Sequence, residues 1–401
     1  MDQSEHPPRP GSVLEVLGVA LKLGLTSFGG PIAHLGYFRR EYVERRKWLD
    51  TEAFAELVAL CQLLPGPASS ELGIAIGTRR AGYLGGLAAW IGFTLPSAVA
   101  LTAFALLTSG VDLSTAGWVE GLKLGAVAVV AQAVWSMGRT LTPDLPRVAI
   151  AVVAAIAMLL APTPAFQVGV ILAGGALGWR LLRVEPTRAF DMVGPSRNRR
   201  AGAAFIAAFV ILLVGLPLAH ALVPNQALAV VDAFYRAGGL VFGGGHVVLP
   251  LLHAAVVPPG WISDDRFLAG YGAAQAVPGP LFTFSAYLGA SLGPEPNGVG
   301  GAALALGAIF LPAFLLIWGA LPFWDSLRRS SSFAAALRGT NASVVGILAA
   351  ALVTPIGTGA LHSPLEVVVA LAALIALLTG RVPPIVVVVL AALFGQLLSL
   401  S

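Results

Sequence analysis

Four cationic side chains lie within apolar stretches of this chain, and they form two pairs related by a common spacing. Lys22 is matched by Arg236, and Lys123 is matched by Arg338, each about 215 positions later. A cation placed within a membrane helix costs roughly 3 kcal/mol, so such residues are functional candidates. Fixed positive charges of this kind suit an anion, and the pattern predicts an anion-binding site.

A structural interpretation competes with this one. Arg236 has Asp232 one helical turn away, and Lys123 has a glutamate three residues away, so each could be neutralised on its own helix. Lys22 and Arg338 have no acidic residue within one turn and are the cleaner candidates. Lys123 and Arg338 also lie near segment ends, where a long side chain can reach the membrane interface. Both interpretations stay open at this point.

Two kinds of helix break accompany the cations, and each occurs twice. Phe-Gly-Gly occurs at 28–30 and 242–244, and Gln-x-x-Pro-Gly-Pro occurs at 62–67 and 275–280. Proline removes a backbone donor and glycine permits backbone angles closed to other residues, so each motif predicts two half-helices meeting at a break. Helix N-terminal ends carry partial positive charge and bind anions. The predicted site therefore also includes Phe28, Gly29, Gly30, Gln62, Pro65, Gly66, Pro67, Ser69, Ser70, Phe242, Gly243, Gly244, His246, Gln275, Pro278, Gly279, Pro280 and Thr283.

One carboxylate follows the first Pro-Gly-Pro break. Glu71 has no acidic counterpart in the second copy, where Phe284 or its neighbours take its place. A lone carboxylate in an apolar segment suggests a proton carrier. A capping carboxylate near a helix start is an equally good interpretation.

The composition indicates a membrane protein. The 401 residues are 57% hydrophobic and only 11% charged, with mean hydropathy +0.84, whereas soluble proteins carry roughly 25% charged residues. Apolar runs of about 16 to 25 residues recur, which predicts an all-α, polytopic membrane fold. The single cysteine, Cys61, excludes an intramolecular disulfide and a multi-cysteine metal site. We expect no cofactor, no metal, no nucleic-acid partner and no enzymatic activity.

The matched motifs indicate an internal duplication. The predicted domains are a polar tail at 1–11, a first membrane repeat at 12–183, an arginine-rich cytoplasmic linker at 184–201, a connecting transmembrane helix at 202–225 and a second repeat at 226–401. Broken helices in paired repeats are the best sequence pointer to a transporter's substrate site.

The basic residues predict how the repeats are oriented. Arg45 and the linker belong on the cytoplasmic side, because positive charge is enriched there. The matching stretch of the second copy, 251–265, has no Lys or Arg. We therefore expect inverted repeats with re-entrant broken helices, and a periplasmic loop at Pro258-Pro259.

The motif set resembles the chromate ion transporter family in its long, two-domain form. The resemblance is carried by Thr26-Ser27-Phe28-Gly29-Gly30-Pro31 with Trp48 and Leu63-Leu64-Pro65-Gly66-Pro67, and by Val241-Phe242-Gly243-Gly244-Gly245-His246 with Trp261 and Gln275-Ala276-Val277-Pro278-Gly279-Pro280. It implies a multi-pass protein of the bacterial cytoplasmic membrane that exports chromate, gives chromate resistance, and is driven by the membrane potential or proton gradient. Members of this family often have acidic and amide residues directly after the first Pro-Gly-Pro, where this chain has Ala68-Ser69-Ser70.

Several functions remain in competition. The expected partners are chromate or a sulfate-like oxyanion, the lipid bilayer, and protons as a candidate coupling ion; a homodimer is left open. Sulfate transport or exchange is the first alternative, because nothing in the chain separates two tetrahedral dianions. A passive anion channel is the second. A membrane chromate reductase is disfavoured, since the sequence has no flavin or nicotinamide fingerprint.

Overall fold

The computed structural model describes residues 11–111, 116–182, 198–242, 248–328 and 330–399, and every regular element within them is helical. The first half contains α1 (Val13–Thr26), α2 (Gly30–Phe38) continued by a π-helical turn (Arg39–Arg45), α3 (Thr51–Leu63), α4 (Ala68–Leu107), α5 (Gly117–Leu141), α6 (Leu145–Leu160) and α7 (Pro164–Leu181). A connecting helix, α8 (Arg199–Leu222), follows.

The second half contains the counterparts of these helices. They are α9 (Gln226–Gly239), α10 (Val248–Val256), α11 (Asp264–Ala276), a 3-10 turn (Leu281–Thr283) leading into α12 (Phe284–Ala290), α13 (Gly298–Ala320), α14 (Trp324–Arg328), α15 (Ser331–Ala351), α16 (Pro364–Leu378) and α17 (Pro384–Leu398).

The long helices are those of a multi-pass membrane protein, as predicted. Within the described ranges, five helices are long and apolar enough to cross a bilayer, namely Ala68–Leu107, Gly117–Leu141, Arg199–Leu222, Gly298–Phe323 and Ser331–Gly357. Large apolar side chains cover their outer surfaces. Leu107, Leu160 and Leu222 each expose about 80% of their area, which is unfavourable in water and favourable against lipid.

Both predicted breaks of the first half divide helical hairpins. α1 ends at Thr26, and α2 starts at Gly30 after Gly29 adopts a φ of 98°. The chain then turns back, because Arg46 lies 3.7 Å from Glu15 at the start of α1. The turn arises where glycine conformation and Pro31 prevent helix propagation.

The second hairpin of this half returns to the same place. α3 ends before Pro65, and α4 starts after Pro67. The first segment of α4, residues 68–80, ends where the Arg80 carbonyl accepts a hydrogen bond from the Gly11 amide at 3.0 Å. The Arg80 guanidinium also lies 5.0 Å from the Trp48 ring centre. The open ends of the two hairpins therefore share one corner, and their breaks point away from it.

The second half repeats this arrangement. Its Pro-Gly-Pro break separates α11 from the 3-10 turn, and Gly279 has a φ of 101°. Trp261, which matches Trp48, accepts a hydrogen bond on its carbonyl from the Gly293 amide at 2.9 Å. These residues close the open ends of the second pair of hairpins.

Two long helices connect the corners. The second segment of α4, residues 83–107, starts beside Arg80 after a kink at Ala81 and Gly82 and spans about 37 Å. Beyond its end, the carbonyls of Thr108 and Val111 accept hydrogen bonds at 3.1 Å from Arg266 at the start of α11.

The second-half equivalent, α13, runs the opposite way. Its end approaches the first corner, where Trp318 donates to Thr78 at 3.0 Å and Trp324 in α14 donates to Glu56 at 2.8 Å. Each long helix therefore starts in the corner of its own half and ends at the corner of the other.

The remaining helices exchange partners between the halves. α5 packs against α16 and α17, and α15 packs against α6 and α7. Small residues allow the backbones to approach closely, since a Cβ on Gly339 of α15 would collide with the backbone of Gly174 and Gly178 in α7. Each half is thus completed by the other.

Candidate functional site

Helix breaks from the two halves meet at one place, which we call the junction. The Gly66 amide donates to the Val241 carbonyl at 2.7 Å, and the Gly279 amide donates to the Ser27 carbonyl at 2.9 Å. Ser27 precedes the first Phe-Gly-Gly motif and Val241 precedes the second. Each Pro-Gly-Pro break is therefore bonded to the Phe-Gly-Gly break of the opposite half, in a reciprocal pair of contacts.

Buried polar groups surround the first half of the junction. His34 lies 3.2 Å from the Ser69 hydroxyl and 3.2 Å from the Ser27 carbonyl, and only 1% of its surface is exposed. The hydroxyls of Ser70 and Thr94 are buried without a hydrogen-bond partner among the described residues. Buried polar groups without partners are uncommon in folded proteins.

Glu71 is the most unusual of these groups. Its side chain is fully buried, and neither carboxylate oxygen has a hydrogen-bond partner within the described ranges. The carboxylate lies directly behind Gly66, where a Cβ on the glycine would collide with Oε1. A charge on Glu71 would be strongly disfavoured there without a compensating partner.

The junction leaves little room for an anion. A cavity of about 20 Å³ is lined by Gly29, Gly30, Gln275 and Gly279, and it has room for about one water molecule. The Gln275 amide nitrogen is buried without a partner in the described structure. A tetrahedral oxyanion would need the breaks to separate.

An open cleft of about 590 Å³ flanks the first break, and we call it the first vestibule. It is lined by Lys22, Leu23, Thr26, Tyr37, Arg40, Glu41, Glu44 and Arg45. Glu41 is 6% exposed and receives hydrogen bonds from Lys22 at 2.8 Å, from Arg46 at 2.8 Å and from Arg45 at 3.2 Å. The lining therefore has three cations, Lys22, Arg40 and Arg45, against the carboxylates Glu41 and Glu44, which leaves net positive charge facing the cleft.

The electrostatics of Glu41 follow from these contacts. Burial alone would raise its pKa, but the hydrogen bonds from Lys22, Arg46 and Arg45 outweigh burial and lower the pKa from 4.5 to about 2. Glu41 is therefore ionised at any physiological pH and holds the three cations together.

The equivalent cleft of the second half, the second vestibule, is smaller and less charged. It has a volume of about 220 Å³ and is lined by residues that include His220, Asp232, Arg236, Ala255, Pro259 and Trp261. Arg236 forms a two-bond ion pair with Asp232 at 2.8 and 2.7 Å, and Asp232 is nearly buried. Ala255 stands where the first half has Glu41, so this pair is locally neutral.

The other predicted cations lie away from the junction. Lys123 is 3% exposed and contacts Glu120 and Asp265, each at 2.6 Å. Arg338 is exposed on α15, close enough to Asp144 to help lower the pKa of that carboxyl, after the larger effect of the Arg147 hydrogen bond. The four predicted cations therefore occupy four separate places.

The remaining predicted residues divide into three groups. Those at the junction are Gly29, Gly30, Gly66, Pro67, Ser69, Ser70, Gln275, Gly279, Pro280 and Thr283, whose hydroxyl donates to the Pro280 carbonyl at 2.7 Å. Phe28, Pro65, Phe242 and Pro278 flank the breaks and are partly exposed, and Gln62 is exposed. Gly243, Gly244 and His246 lie outside the described residues.

Three residues that contact the predicted site residues or lie at the junction were not predicted from the sequence. Glu41 is 19 positions from Lys22, and Asp265 is 142 positions from Lys123, so neither pairing appears as a helical spacing. Thr94 belongs to a helix that only tertiary folding brings past the breaks. The predicted hairpins could have indicated such contacts, because a chain that turns back at a break places the helices on either side of the break next to each other.

The model of the family described as "Chromate transporter" matches this chain twice, over residues 14–179 and 228–396. These segments are the two halves seen in the structure. The chain belongs to the chromate transporter family. This membership confirms the predicted family and the prediction of a transporter rather than an enzyme. It also confirms a duplicated membrane fold.

The curated relatives agree with this membership. A chromate transport protein of Pseudomonas aeruginosa is 29% identical over 364 residues, covering 86% of this chain and 82% of that protein. A probable chromate transport protein of Synechococcus elongatus is 28% identical, covering 94% and 93%. A chromate transport protein of Cupriavidus metallidurans is 26% identical, covering 87% and 84%. No solved structure matches this chain.

Proposed function

We propose that this protein is a secondary active transporter that exports chromate, a tetrahedral dianion, across the bacterial cytoplasmic membrane and thereby gives chromate resistance. The observation that carries the proposal is the reciprocal pair of backbone hydrogen bonds, Gly66 to Val241 and Gly279 to Ser27. These bonds close a junction between two vestibules. A closed junction that must separate to pass an anion favours a carrier over a passive channel.

The two halves are proposed to be inverted, with both hairpins of each half re-entrant from the same face. The support comes from the long helices. The segment 83–107 starts at the first corner and ends at Arg266 of the second, whereas α13 ends at Glu56 and Thr78 of the first. Each segment is long enough to cross a membrane, so the corners belong on opposite faces. The connecting helix α8 makes the number of crossings between them odd.

The first vestibule is proposed to face the cytoplasm. It carries Arg40 and Arg45, and positive charge is enriched on that side. Its excess of cations attracts dianions and raises their local concentration. Impermeant thiol labelling in whole cells tests this orientation, because Arg45→Cys should be shielded and Pro259→Cys should be labelled.

Positive charge must accompany the anion into the junction. Isolated burial of charge is prohibitive, and a helix end supplies only about half a charge. Lys22 is the cation closest in sequence to the first break and remains 48% exposed despite its bond to Glu41. We infer that Lys22 exchanges Glu41 for the anion, which then reaches Ser70 and the start of α4. Arg236 is inferred to line the exit.

Glu71 is proposed to carry the coupling proton. It is buried beside Gly66 without a hydrogen-bond partner among the described residues, so a change in its protonation alters the charge directly behind the inter-half bond. A proton bound from the periplasm when the junction opens outward, and released inward, would drive export of the dianion.

Everted vesicles test this function directly. Chromate should accumulate in vesicles whose lumen is acidified, and a protonophore should remove the accumulation. Glu71→Gln should retain chromate exchange but lose stimulation by the proton gradient, to within about twofold of the rate without a gradient. Sulfate that is accumulated equally well would identify a general oxyanion transporter. Flux that is linear and never exceeds equilibrium would identify a channel and overturn the proposal.

A further inference from the structure

An ion pair with a buried lysine joins the two halves at one end of the molecule. Lys123 in α5 belongs to the first half, and Asp265 at the start of α11 belongs to the second. Their charged atoms are 2.6 Å apart, and the Lys123 side chain is 3% exposed. Glu120 binds the same ammonium group at 2.6 Å. A lysine this buried requires such partners, because removing one would leave an uncompensated charge.

Neighbouring contacts tie the same corner together. Arg266 follows Asp265 and donates to the Thr108 and Val111 carbonyls at the end of α4. The Arg266 carbonyl accepts a hydrogen bond from the Tyr287 hydroxyl at 3.0 Å. The corner beside the second vestibule is therefore closed by side chains from both halves.

The duplication provides a counterpart for this ion pair. Lys123 matches Arg338, the eighth residue of α15, and Asp265 matches Glu52, the second residue of α3. Arg338 and Glu52 are both exposed. Within the part of the chain that the structure describes, no ion pair joins them. The sequence therefore allows the ion pair between Arg338 and Glu52, but this pair is not formed in the structure.

Arg338 and Glu52 nevertheless belong to the same corner. Glu56, one turn after Glu52 on α3, accepts a hydrogen bond from Trp324. Trp324 starts the short helix α14, which leads directly into α15 and Arg338. A displacement of α15 relative to α3 is what would bring these two side chains together.

We propose that Lys123–Asp265 and Arg338–Glu52 are two alternating gates, each closed in one of the transporter's two states. This inference rests on the proposed transport function with inverted halves. In the present state the Lys123 gate is closed and the first vestibule is open, at about 590 Å³ against about 220 Å³ for the second. In the opposite state Arg338 binds Glu52, Lys123 releases Asp265, and the second vestibule opens.

The two gates are not equally strong. Lys123 also binds a second acid, Glu120, whose counterpart in the second half is Ala335. Arg266, which binds the end of α4, has Ala53 as its counterpart in the first half. The Lys123 gate should therefore be the favoured one at rest, consistent with the state observed. A charge pair that forms in only one state shifts the population toward that state.

Paired cysteine reporters test the proposal independently of transport. In a Cys61→Ala background, Thr26→Cys reports on the first vestibule and its counterpart Leu240→Cys reports on the second. Asp265→Asn should raise the labelling rate at Leu240→Cys and lower it at Thr26→Cys, each by about fivefold or more. Glu52→Gln should move both reporters in the opposite direction or leave them at the resting values. Labelling that Asp265→Asn leaves unchanged at both reporters would overturn the gate.

Cross-linking tests the open counterpart. Glu52→Cys with Arg338→Cys should be joined by a short bifunctional thiol reagent in membranes, and Asp265→Asn should speed that reaction because it favours the state in which the two positions meet. Glu52→Cys with Lys123→Cys is the matched control, since these residues lie at opposite ends and should not be joined. Absence of a Glu52–Arg338 cross-link under conditions that label both cysteines singly would overturn the second gate. Chromate flux of the parent protein is measured separately, so loss of the gate and loss of the proposed function are distinguishable.

Discussion

The two vestibules occupy equivalent positions in the duplicated fold but differ in charge. In the first, Glu41 gathers Lys22, Arg45 and Arg46 around a buried carboxylate. In the second, Ala255 replaces that carboxylate, and Arg236 is neutralised by Asp232 on its own helix. The reciprocal backbone bonds, Gly66 to Val241 and Gly279 to Ser27, are the same in both halves. The difference teaches that duplication supplied a shared framework, whereas divergence gave the two vestibules different charges.

The largest expected effect concerns what the halves share. Gly66→Val and Gly279→Val should each reduce chromate flux by about 100-fold or more while the protein remains in the membrane. Both glycines have positive φ, where a β-branched residue is strained. A side chain would also meet the Glu71 carboxylate at Gly66, or the Ser97 hydroxyl at Gly279. Everted-vesicle flux normalised to protein level is the measurement.

Gly36→Ala is the matched control for these variants. Gly36 is exposed in α2, and a Cβ added there meets no atom within 4 Å. It should keep flux within about twofold of the parent. If only one of the two valine variants loses flux, the two breaks are not equivalent, and the conclusion that the halves share them is wrong.

A smaller effect should separate the vestibules. Lys22→Gln should lower flux at low chromate by about tenfold, because the excess charge that meets the anion is reduced. Lys22→Arg should retain more activity than Lys22→Gln. Arg236→Gln should instead lower the protein level, because it strands the buried carboxylate of Asp232.

The double variant of the second vestibule distinguishes structure from function there. Arg236→Gln combined with Asp232→Asn should restore both protein level and flux to within about twofold. Immunoblots and flux on the same membranes provide both readouts. Equal flux loss at normal protein level for Lys22→Gln and Arg236→Gln would show that both cations meet the anion directly.

The smallest effect is a pH dependence confined to the first vestibule. The folded-state pKa of Glu41, about 2, lies below its ordinary value of 4.5. Its ionised form therefore stabilises the folded protein above about pH 4.5, and this stabilisation is lost as pH falls toward 2. Glu41→Gln should lower the Tm of the detergent-solubilised protein by about 3 °C at pH 7, and the difference should shrink on acidification. Glu44→Gln, at a 59%-exposed side chain, is the control and should leave the Tm unchanged.

The sequence predicted the parts of this molecule that depend on local chemistry. Proline and glycine at 65–67 and 278–280 forbid continuous helix, so the breaks were predictable and are present. The duplication was predictable for the same reason, because such motifs recur at matched positions. The parts that depend on distant contacts were not predictable. Lys22 appeared unpaired because its carboxylate lies across a hairpin, and Lys123 acquired Asp265 only through packing between the halves.

The junction bonds have a consequence for how this protein can change over generations. Both are formed between backbone groups alone, Gly66 with Val241 and Gly279 with Ser27. A backbone donor and acceptor survive nearly any substitution at the neighbouring side chains, as Glu71 and its counterpart Phe284 illustrate. Apart from the two glycines, whose positive φ the bonds require, the framework therefore tolerates substitution of the side chains around it. New anion preferences can arise by single side-chain replacements, without an intermediate generation that has lost the fold.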